Sequence, residues 1–311
     1  MTLLSGAVLV VAIMLVGSLL NQGRPDVEPA PTEVTPSGSA PGSYRNEDYQ
    51  VPPVDLSPPA LPRPETLDEV DELLERNPLY RQSVARPVRC EVTDVNIRSV
   101  SRPALEAHLN QMMGCLMKVW GPTLEAAGWV PVRPSVTVYS APVKSRCGDT
   151  RMSNASYCGG DQQIYVATDV LSSVPGSVNR NRYMVETILA HEFGHAVQAR
   201  TGILTSSLVL ENRASSERAK NLISRRTELQ ADCFAGMFLS SIAQSVSLQP
   251  EDLTKITKLG HAIGDDVLSG KANIDGDHGL GASRQQWMRQ GLSSTEVSAC
   301  NSFVAPASAV R

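Results

Sequence analysis

The amino-acid sequence predicts a single α+β domain that is mostly helical and contains a small sheet. Two segments, PSVTVYS (134–140) and QQIYVAT (162–168), carry the alternation and the β-branched residues that are typical of strands. Longer segments before and after them have apolar residues spaced three and four apart, as in amphipathic helices. This order of elements favours one domain rather than two.

The chain begins with an apolar run over residues 2–20, and its first charged residue is Arg24. The run has about the 20 residues that a helix needs to cross a bilayer. A cleaved signal peptide, the alternative, would have a basic start, a shorter apolar region and a small-residue cleavage site. Since none of these is evident, we predict an uncleaved transmembrane signal-anchor over residues 1–20, with the membrane as a partner.

A proline-rich stretch follows, and eleven of the 21 prolines lie between Pro25 and Pro64. It is also rich in Ser, Glu and Gly, so it lacks the apolar side chains that a packed core requires. We therefore predict a disordered, extended tether over residues 21–64. The folded domain is predicted to occupy residues 65–311.

Within that domain a short helix is expected in PETLDEVDELLERNPLY, ending before Pro78. A longer helix is expected in SRPALEAHLNQMMGCLMKVWGPTLEAAG, where Pro103 is compatible with a helix start. The two strands come next. Four further helical segments follow them, at about 182–199, 214–244, 250–268 and 283–292.

The six cysteines are an even number behind an export-type segment, which indicates disulfides in an oxidising compartment. A cysteine zinc site is disfavoured because the chain has no CxxC pair. Proximity in sequence favours Cys147–Cys158 and then Cys90–Cys115, leaving Cys233 for Cys300, although fifteen pairings are possible for six cysteines. We accordingly predict a single-pass membrane protein whose folded domain lies outside the cytoplasm. The net charge of −4 gives no reason to expect a nucleic-acid partner.

The segment HEFGH (191–195) has the spacing of a metal-binding helix. Residues four apart share one helical face, so His191 and His195 can both bind one ion. The carboxylate of Glu192 can then reach a water at an open metal position and act as general base. Two hydrogen-bonded histidines in a buried helix are the plainer interpretation.

A second helix supplies the remaining ligands. In RRTELQADCFAG, Glu228 and Asp232 are four residues apart within a mainly apolar run. Because unpaired charge is costly in such surroundings, both carboxylates should have partners. Glu228 completes a two-histidine, one-glutamate zinc site with His191 and His195. Asp232 is expected to accept a hydrogen bond from the other ring nitrogen of a ligand histidine. We predict one Zn²⁺ per chain.

Three motifs, HEFGHAVQ, ELQADCFAG and HGLGASRQQW, resemble those of the bacterial neutral zinc metallopeptidases. The similarity extends from about Cys147 to Phe303. It implies a zincin-like fold of the gluzincin type, with His191, His195 and Glu228 as zinc ligands and Glu192 as the catalytic glutamate. It also makes His278 a candidate to stabilise a developing oxyanion, with Asp275 or Asp277 orienting it. A loop histidine that braces the fold is the alternative, with Arg284 as its possible partner.

Two functions are consistent with these patterns. The first is a membrane-tethered zinc endopeptidase acting on peptides or proteins, with the strand Ile164–Ala167 as an edge strand that binds substrate through its backbone. An ordinary core strand is the alternative for this segment. The second is a non-catalytic envelope protein with a zincin-like fold that only binds a partner. Glu192 favours the first, because a structural zinc site has no use for a base at that position. A peptidase of cell-wall cross-links is a third, weaker possibility.

Overall fold

The computed structural model describes residues 43–97, 99–172, 174–179 and 183–311. Over these ranges the chain has the predicted α+β architecture, dominated by helices. The helices are α1 (Leu67–Glu75), α2 (Arg102–Ala126), α3 (Gly176–Asn179), α4 (Met184–Arg200), α5 (Ile203–Arg213), α6 (Glu217–Ile242), α7 (Pro250–Ala262), α8 (Asp265–Ser269) and α9 (Gly281–Ser293). The strands are β1 (Val136–Tyr139), β2 (Lys144–Ser145), β3 (Gly148–Asp149), β4 (Ala155–Cys158) and β5 (Gln163–Ala167).

The main sheet has three strands in the order β1-β5-β4. Strand β5 pairs in parallel with β1 on one side and antiparallel with β4 on the other. The prediction that Ile164–Ala167 forms an edge strand is therefore wrong, because both sides of β5 already hold hydrogen-bonded partners. The edge next to α4 is β4, which the sequence analysis did not predict.

Helices α4 and α6 cross in the interior and form the centre of the hydrophobic core. Gly194 permits their close approach, because a Cβ at this position would lie only 3.0 Å from the Cα and 3.1 Å from the Cβ of Ala231. Gly194 and Ala231 therefore mark the point where the two backbones meet. This contact brings the face of α4 that carries the histidines against the face of α6 that carries Glu228.

Two of the predicted helices differ from the structure. The segment 250–268 is divided into α7 and α8, and Gly264 lies at the break beside the backbone of Gly281. The predicted helix at 214–244 is α6, which begins only at Glu217 and is capped by the Ser216 side chain. Helix α5 itself was not predicted.

Residues 43–64 contradict the prediction of a free tether. This segment, which we call the strap, contains no buried residue, yet it is bound along the surface of the domain. Arg200 Nη1 donates to the carbonyl of Pro59 at 3.0 Å, and Gln162 Nε2 donates to the same oxygen at 2.8 Å. Side chains of the domain thus bind the strap through its backbone carbonyls, which a composition argument does not detect. Residues 21–42 lie outside the described ranges.

The three disulfides have the expected pairing: Cys90–Cys115, Cys147–Cys158 and Cys233–Cys300. The first joins α2 to the loop before it, the second joins the β2–β3 hairpin to β4, and the third joins α6 to the C-terminal region. No helix within the described ranges is long and apolar enough to span a bilayer. The predicted signal-anchor at residues 1–20 falls outside those ranges.

Candidate metal centre

The three predicted zinc ligands converge between α4 and α6. His191 Nε2 lies 3.2 Å from Glu228 Oε2, and His195 Nε2 lies 3.4 Å from Glu228 Oε1. Ligand atoms at about 2.0–2.1 Å from a tetrahedral zinc would be about 3.3 Å apart. These two nitrogen–oxygen distances therefore match the spacing of ligands around one zinc ion.

Each histidine is held by its other ring nitrogen. His191 Nδ1 lies 2.9 Å from Asp232 Oδ1, and His195 Nδ1 lies 2.9 Å from Gln198 Oε1. Because both partners are acceptors, both Nδ1 atoms carry hydrogen and both Nε2 atoms are left to face the ligand position. Asp232 therefore has the predicted role, and Gln198 has the equivalent role for His195.

Gln198 has one possible orientation in this network. Its Nε2 donates to the carbonyl of Thr227 at 2.8 Å and to Gln230 Oε1 at 3.0 Å. Both amide hydrogens are thereby used, so Oε1 is the atom that faces His195. Gln198 lies three residues after His195 on the same helical face, so helical spacing alone would have identified it as a candidate.

The electrostatics of the site favour a positive charge between the ligands. Burial alone would lower the pKa of His191, but the carboxylates of Asp232 and Glu228 outweigh it and raise this pKa to about 10. Burial would likewise raise the pKa of Glu228, but His195 and His191 lower it well below its ordinary value. A site that attracts a proton this strongly is also suited to a divalent cation.

The candidate centre has three protein ligands and an exposed side. Among the described residues, the group of metal-ligating side chains at this position consists of His191, His195 and Glu228. Their side chains remain 12%, 13% and 17% exposed, respectively. A fourth coordination position would be accessible to water or substrate, as in catalytic rather than structural zinc sites.

Glu192 follows the ligand His191 on α4 and contacts the edge strand of the sheet. Its Oε2 accepts a hydrogen bond of 2.8 Å from the backbone N–H of Tyr157, which is on β4. The carboxylate of this buried residue is therefore held at the edge strand β4 by a backbone contact. Sequence analysis did not find this contact, because ASYC is only four residues long and lacks β-branched side chains.

His278 lies in the loop before α9 and is about half exposed. Its Nδ1 lies 2.8 Å from Asp277 Oδ1, and its backbone N–H donates to Asp265 Oδ2 at 2.9 Å. Of the two expected orienting acids, Asp277 contacts the ring, whereas Asp275 pairs with Arg225 at 2.7 Å. Of the influences that lower the pKa of Glu228, that of His278 is the smallest, after those of His195 and His191.

A second group of possible metal ligands, Asp265, Asp277 and His278, has its ligand atoms within 4.8 Å of one another. Asp265 Oδ2 already accepts hydrogen bonds from the backbone N–H groups of His278 and Gly279. Asp277 and the His278 ring are exposed. These contacts therefore hold the loop before α9 against α8.

Arg284 was missed as a residue of the site. The sequence analysis considered it as a partner of His278, but its guanidinium binds both oxygens of Asp232, Nε to Oδ2 and Nη2 to Oδ1, each at 2.9 Å. The two residues are 52 positions apart, so no local spacing indicates the contact.

Comparisons with known proteins agree with this geometry. A family model described as "Putative neutral zinc metallopeptidase" matches residues 87–303. The chain is 30% identical over 191 residues to "Uncharacterized protein YpfJ" of Escherichia coli K12, covering 59% of this chain and 66% of that protein. It is 29% identical over 223 residues to "Uncharacterized protein Rv2575" of Mycobacterium tuberculosis, covering 64% of this chain and 73% of that protein. No solved structure matches.

Proposed function

This chain belongs to the zinc metallopeptidase family whose model it matches, and from that premise we propose that it is a zinc-dependent endopeptidase. The observation that carries the proposal is the constellation of His191, His195 and Glu228 at zinc-ligand spacing, with Glu192 beside them. We propose a zincin-like arrangement of these elements, with one Zn²⁺ per chain. Zinc, when bound, supplies a Lewis acid that polarises a carbonyl and acidifies water.

Glu192 is the proposed general base. It is the carboxylate next to the ligand histidines on α4, and it does not belong to the ligand group itself. In the proposed reaction, Glu192 takes a proton from the attacking water and passes it to the nitrogen of the leaving amine. The N–H of Tyr157 keeps the carboxylate oriented while the proton is transferred.

Strand β4 is the element best placed to hold the substrate. It is the sheet edge beside α4, and its residue Tyr157 contacts the proposed base directly. An extended peptide that pairs with this edge would bring its backbone past Glu192. Substrate recognition through β4 replaces the earlier proposal that β5 has this role.

His278 is proposed to support the oxyanion that develops on the scissile carbonyl. Its Nδ1 contacts Asp277, which leaves Nε2 available to a substrate in the cleft. Loss of one oxyanion donor typically costs about 10²–10³-fold in kcat. A loss of less than about threefold for His278→Ala would instead assign His278 to bracing the loop.

The remaining expectations on location stand as proposals. The apolar run at residues 2–20 supports a membrane anchor, and the three disulfides support an oxidising, extracytoplasmic location for the folded domain. The substrate would then be a peptide or protein outside the cytoplasm. Isolation of the chain from the soluble fraction with all six cysteines reduced would contradict this location.

The alternative is an envelope protein that uses the same fold only to bind a partner. The exposed side of the ligand group and the placement of Glu192 both favour catalysis over this alternative. A closed fourth position in the zinc-loaded protein would reverse that preference.

The test is cleavage of a diverse peptide library by the detergent-solubilised full chain, with zinc present and Glu192→Gln as the matched variant. Gln keeps the size of the side chain but is not a base, so we expect unchanged zinc content and a loss of at least about 10²–10⁴-fold in turnover. Equal cleavage by both proteins would contradict the proposed mechanism. Zinc bound to both without cleavage by either would favour the partner-binding alternative.

A further inference from the structure

A buried salt bridge lies directly behind the metal centre. The guanidinium of Arg284, on α9, forms two parallel hydrogen bonds of 2.9 Å to the carboxylate of Asp232, on α6. The same Asp232 Oδ1 is the atom that holds His191 Nδ1. A continuous chain of contacts thus runs from α9 through Asp232 to a proposed zinc ligand.

Water cannot substitute for this contact. The side chains of Asp232 and Arg284 are only 1% and 4% exposed, respectively. Burial alone would raise the pKa of Asp232, but the guanidinium and His191 hold it below its ordinary value. An ion pair so completely removed from water costs desolvation energy and is weak evidence for stability by itself. Its position points to a role in placing His191.

The two-pronged hydrogen bonding of the Arg284 guanidinium, here called its fork, restricts the Asp232 carboxylate to one orientation. Two parallel N–H···O bonds fix both the plane and the rotation of a carboxylate, which a single point charge does not. With both oxygens bound, Asp232 can present Oδ1 to His191 in one direction only. That direction sets the ring so that its Nε2 faces Glu228 Oε2, 3.2 Å away.

The packing of α9 against α6 fixes the position of Arg284, where this series of contacts begins. A Cβ at Gly291 would lie 1.9 Å from the carbonyl oxygen of Cys233, and one at Gly236 would lie 2.3 Å from that of Met288. The two helices therefore touch through their backbones, with no side chain between them to yield. Arg284 therefore lies on a helix that cannot shift without breaking this backbone contact.

We propose that Arg284 is a positioning residue that sets the zinc affinity and the coordination geometry of the site through Asp232 and His191. The inference rests on the proposed zinc site and names a residue that acts on it through Asp232, 52 positions away in the sequence. Arg284 contacts neither the ligand position nor the cleft, so its effect appears first in metal binding.

The test compares Arg284→Met and Arg284→Lys with Arg289→Met in the full chain. Arg289 is on the same helix but exposed, so it controls for loss of a positive charge from α9. The zinc dissociation constant is measured by competition with a chromogenic chelator. The visible spectrum of the Co²⁺-substituted protein reports the coordination geometry.

Loss of an outer partner of a zinc ligand typically weakens zinc binding about 10- to 100-fold. We expect a loss of this size for Arg284→Met, a smaller loss for Arg284→Lys, and an altered Co²⁺ spectrum in both. Arg289→Met should stay within about twofold of the wild type. If Arg284→Met does not fold, Arg284→Lys carries the comparison, because it keeps the buried charge and removes only the fork.

A double-mutant cycle separates positioning from general bracing. If Arg284 acts through Asp232, Arg284→Met should weaken zinc binding by no more than about threefold in an Asp232→Asn background. If the losses of zinc affinity caused by Arg284→Met and Asp232→Asn multiply in the double variant, the inference is overturned. Wild-type zinc affinity in folded Arg284→Lys would also overturn it. Zinc binding by the wild type without peptidase activity would overturn only the proposed function, and absence of zinc binding would overturn both.

Discussion

His108 is a buried residue of α2 whose ring contacts Glu186 on α4. Its Nε2 lies 2.7 Å from Glu186 Oε1, and its Nδ1 lies 2.8 Å from the carbonyl of Thr93. With an acceptor at both ring nitrogens, His108 is best satisfied as an imidazolium.

This pair makes the stability of the protein depend on pH. Burial alone would lower the pKa of His108, but its hydrogen bond to Glu186 and the charge of that carboxylate raise it above the ordinary value. A raised pKa in the folded state means that the pair stabilises the protein fully below the ordinary pKa. The stabilisation is lost as pH rises through the raised value.

We therefore predict that the stability advantage of the wild type over His108→Gln shrinks as the pH is raised above about 6.5, the ordinary pKa of histidine. The free energy of unfolding is measured by urea denaturation of both proteins, with EDTA throughout so that metal binding does not contribute. An advantage that grows or stays constant over this range would show that His108 is not held as a cation.

At the scale of elements, the crossing of α4 and α6 determines whether the zinc ligands meet. Its closest point is Gly194 against the backbone of Ala231. A side chain at this position would have to push the helices apart, and Glu228 would move with α6. Packing at the crossing and metal affinity should therefore change together.

Gly194→Ala tests this coupling. The added Cβ would meet Ala231 atoms at 3.0–3.2 Å, and overpacking of this kind typically costs about 1–3 kcal/mol. We expect a loss of unfolding free energy in that range and weaker zinc binding. The matched control is Gly114→Ala in α2, where nothing lies within 4 Å of the new Cβ.

Gly114→Ala should instead stabilise the protein by about 0.5–1 kcal/mol and leave zinc binding unchanged, because alanine is the better helix residue. If Gly194→Ala were as stable as the wild type and bound zinc equally well, the close crossing would not be what positions Glu228.

At the scale of the whole molecule, the three disulfides constrain loops of very different length. Cys233–Cys300 spans 67 residues and Cys147–Cys158 spans 11. Loop-closure entropy then predicts stabilisation of about 4 kcal/mol for the first and about 3 kcal/mol for the second. Cys233 also adjoins Asp232 on α6.

Replacing Cys233 and Cys300 by alanine should consequently cost more unfolding free energy than replacing Cys147 and Cys158. Denaturant unfolding of the two double variants, under the same chelated conditions, gives the comparison. A larger loss for the Cys147–Cys158 variant would mean that the β2–β3 hairpin contributes more to global stability than loop entropy allows.

The sequence predicted the structure best where residues of one kind recur at helical spacing. The spacing of His191, Glu192 and His195, and of Glu228 and Asp232, predicted which side chains meet, because helical neighbours recur every three or four residues. Helices α2, α4, α6 and α9 were predicted for the same reason, and their ends differ from the structure by only a few residues.

The other features depend on contacts between distant residues. Strand β4 is too short to show alternation, and it becomes a strand only by pairing with β5. The strap has the composition of a free linker, but Arg200 and Gln162 bind its carbonyls from more than 100 positions away. The contact of Arg284 with Asp232 likewise exists only once α9 has packed on α6.

X-ray diffraction at the zinc absorption edge, from crystals of the zinc-loaded protein, tests the central claim most directly. The account predicts one anomalous peak at about 2.0–2.2 Å from His191 Nε2, His195 Nε2 and the Glu228 carboxylate, with no fourth protein ligand. A peak at Asp265, Asp277 and His278 instead, or a fourth protein side chain on the ion, would contradict a catalytic zinc site between α4 and α6.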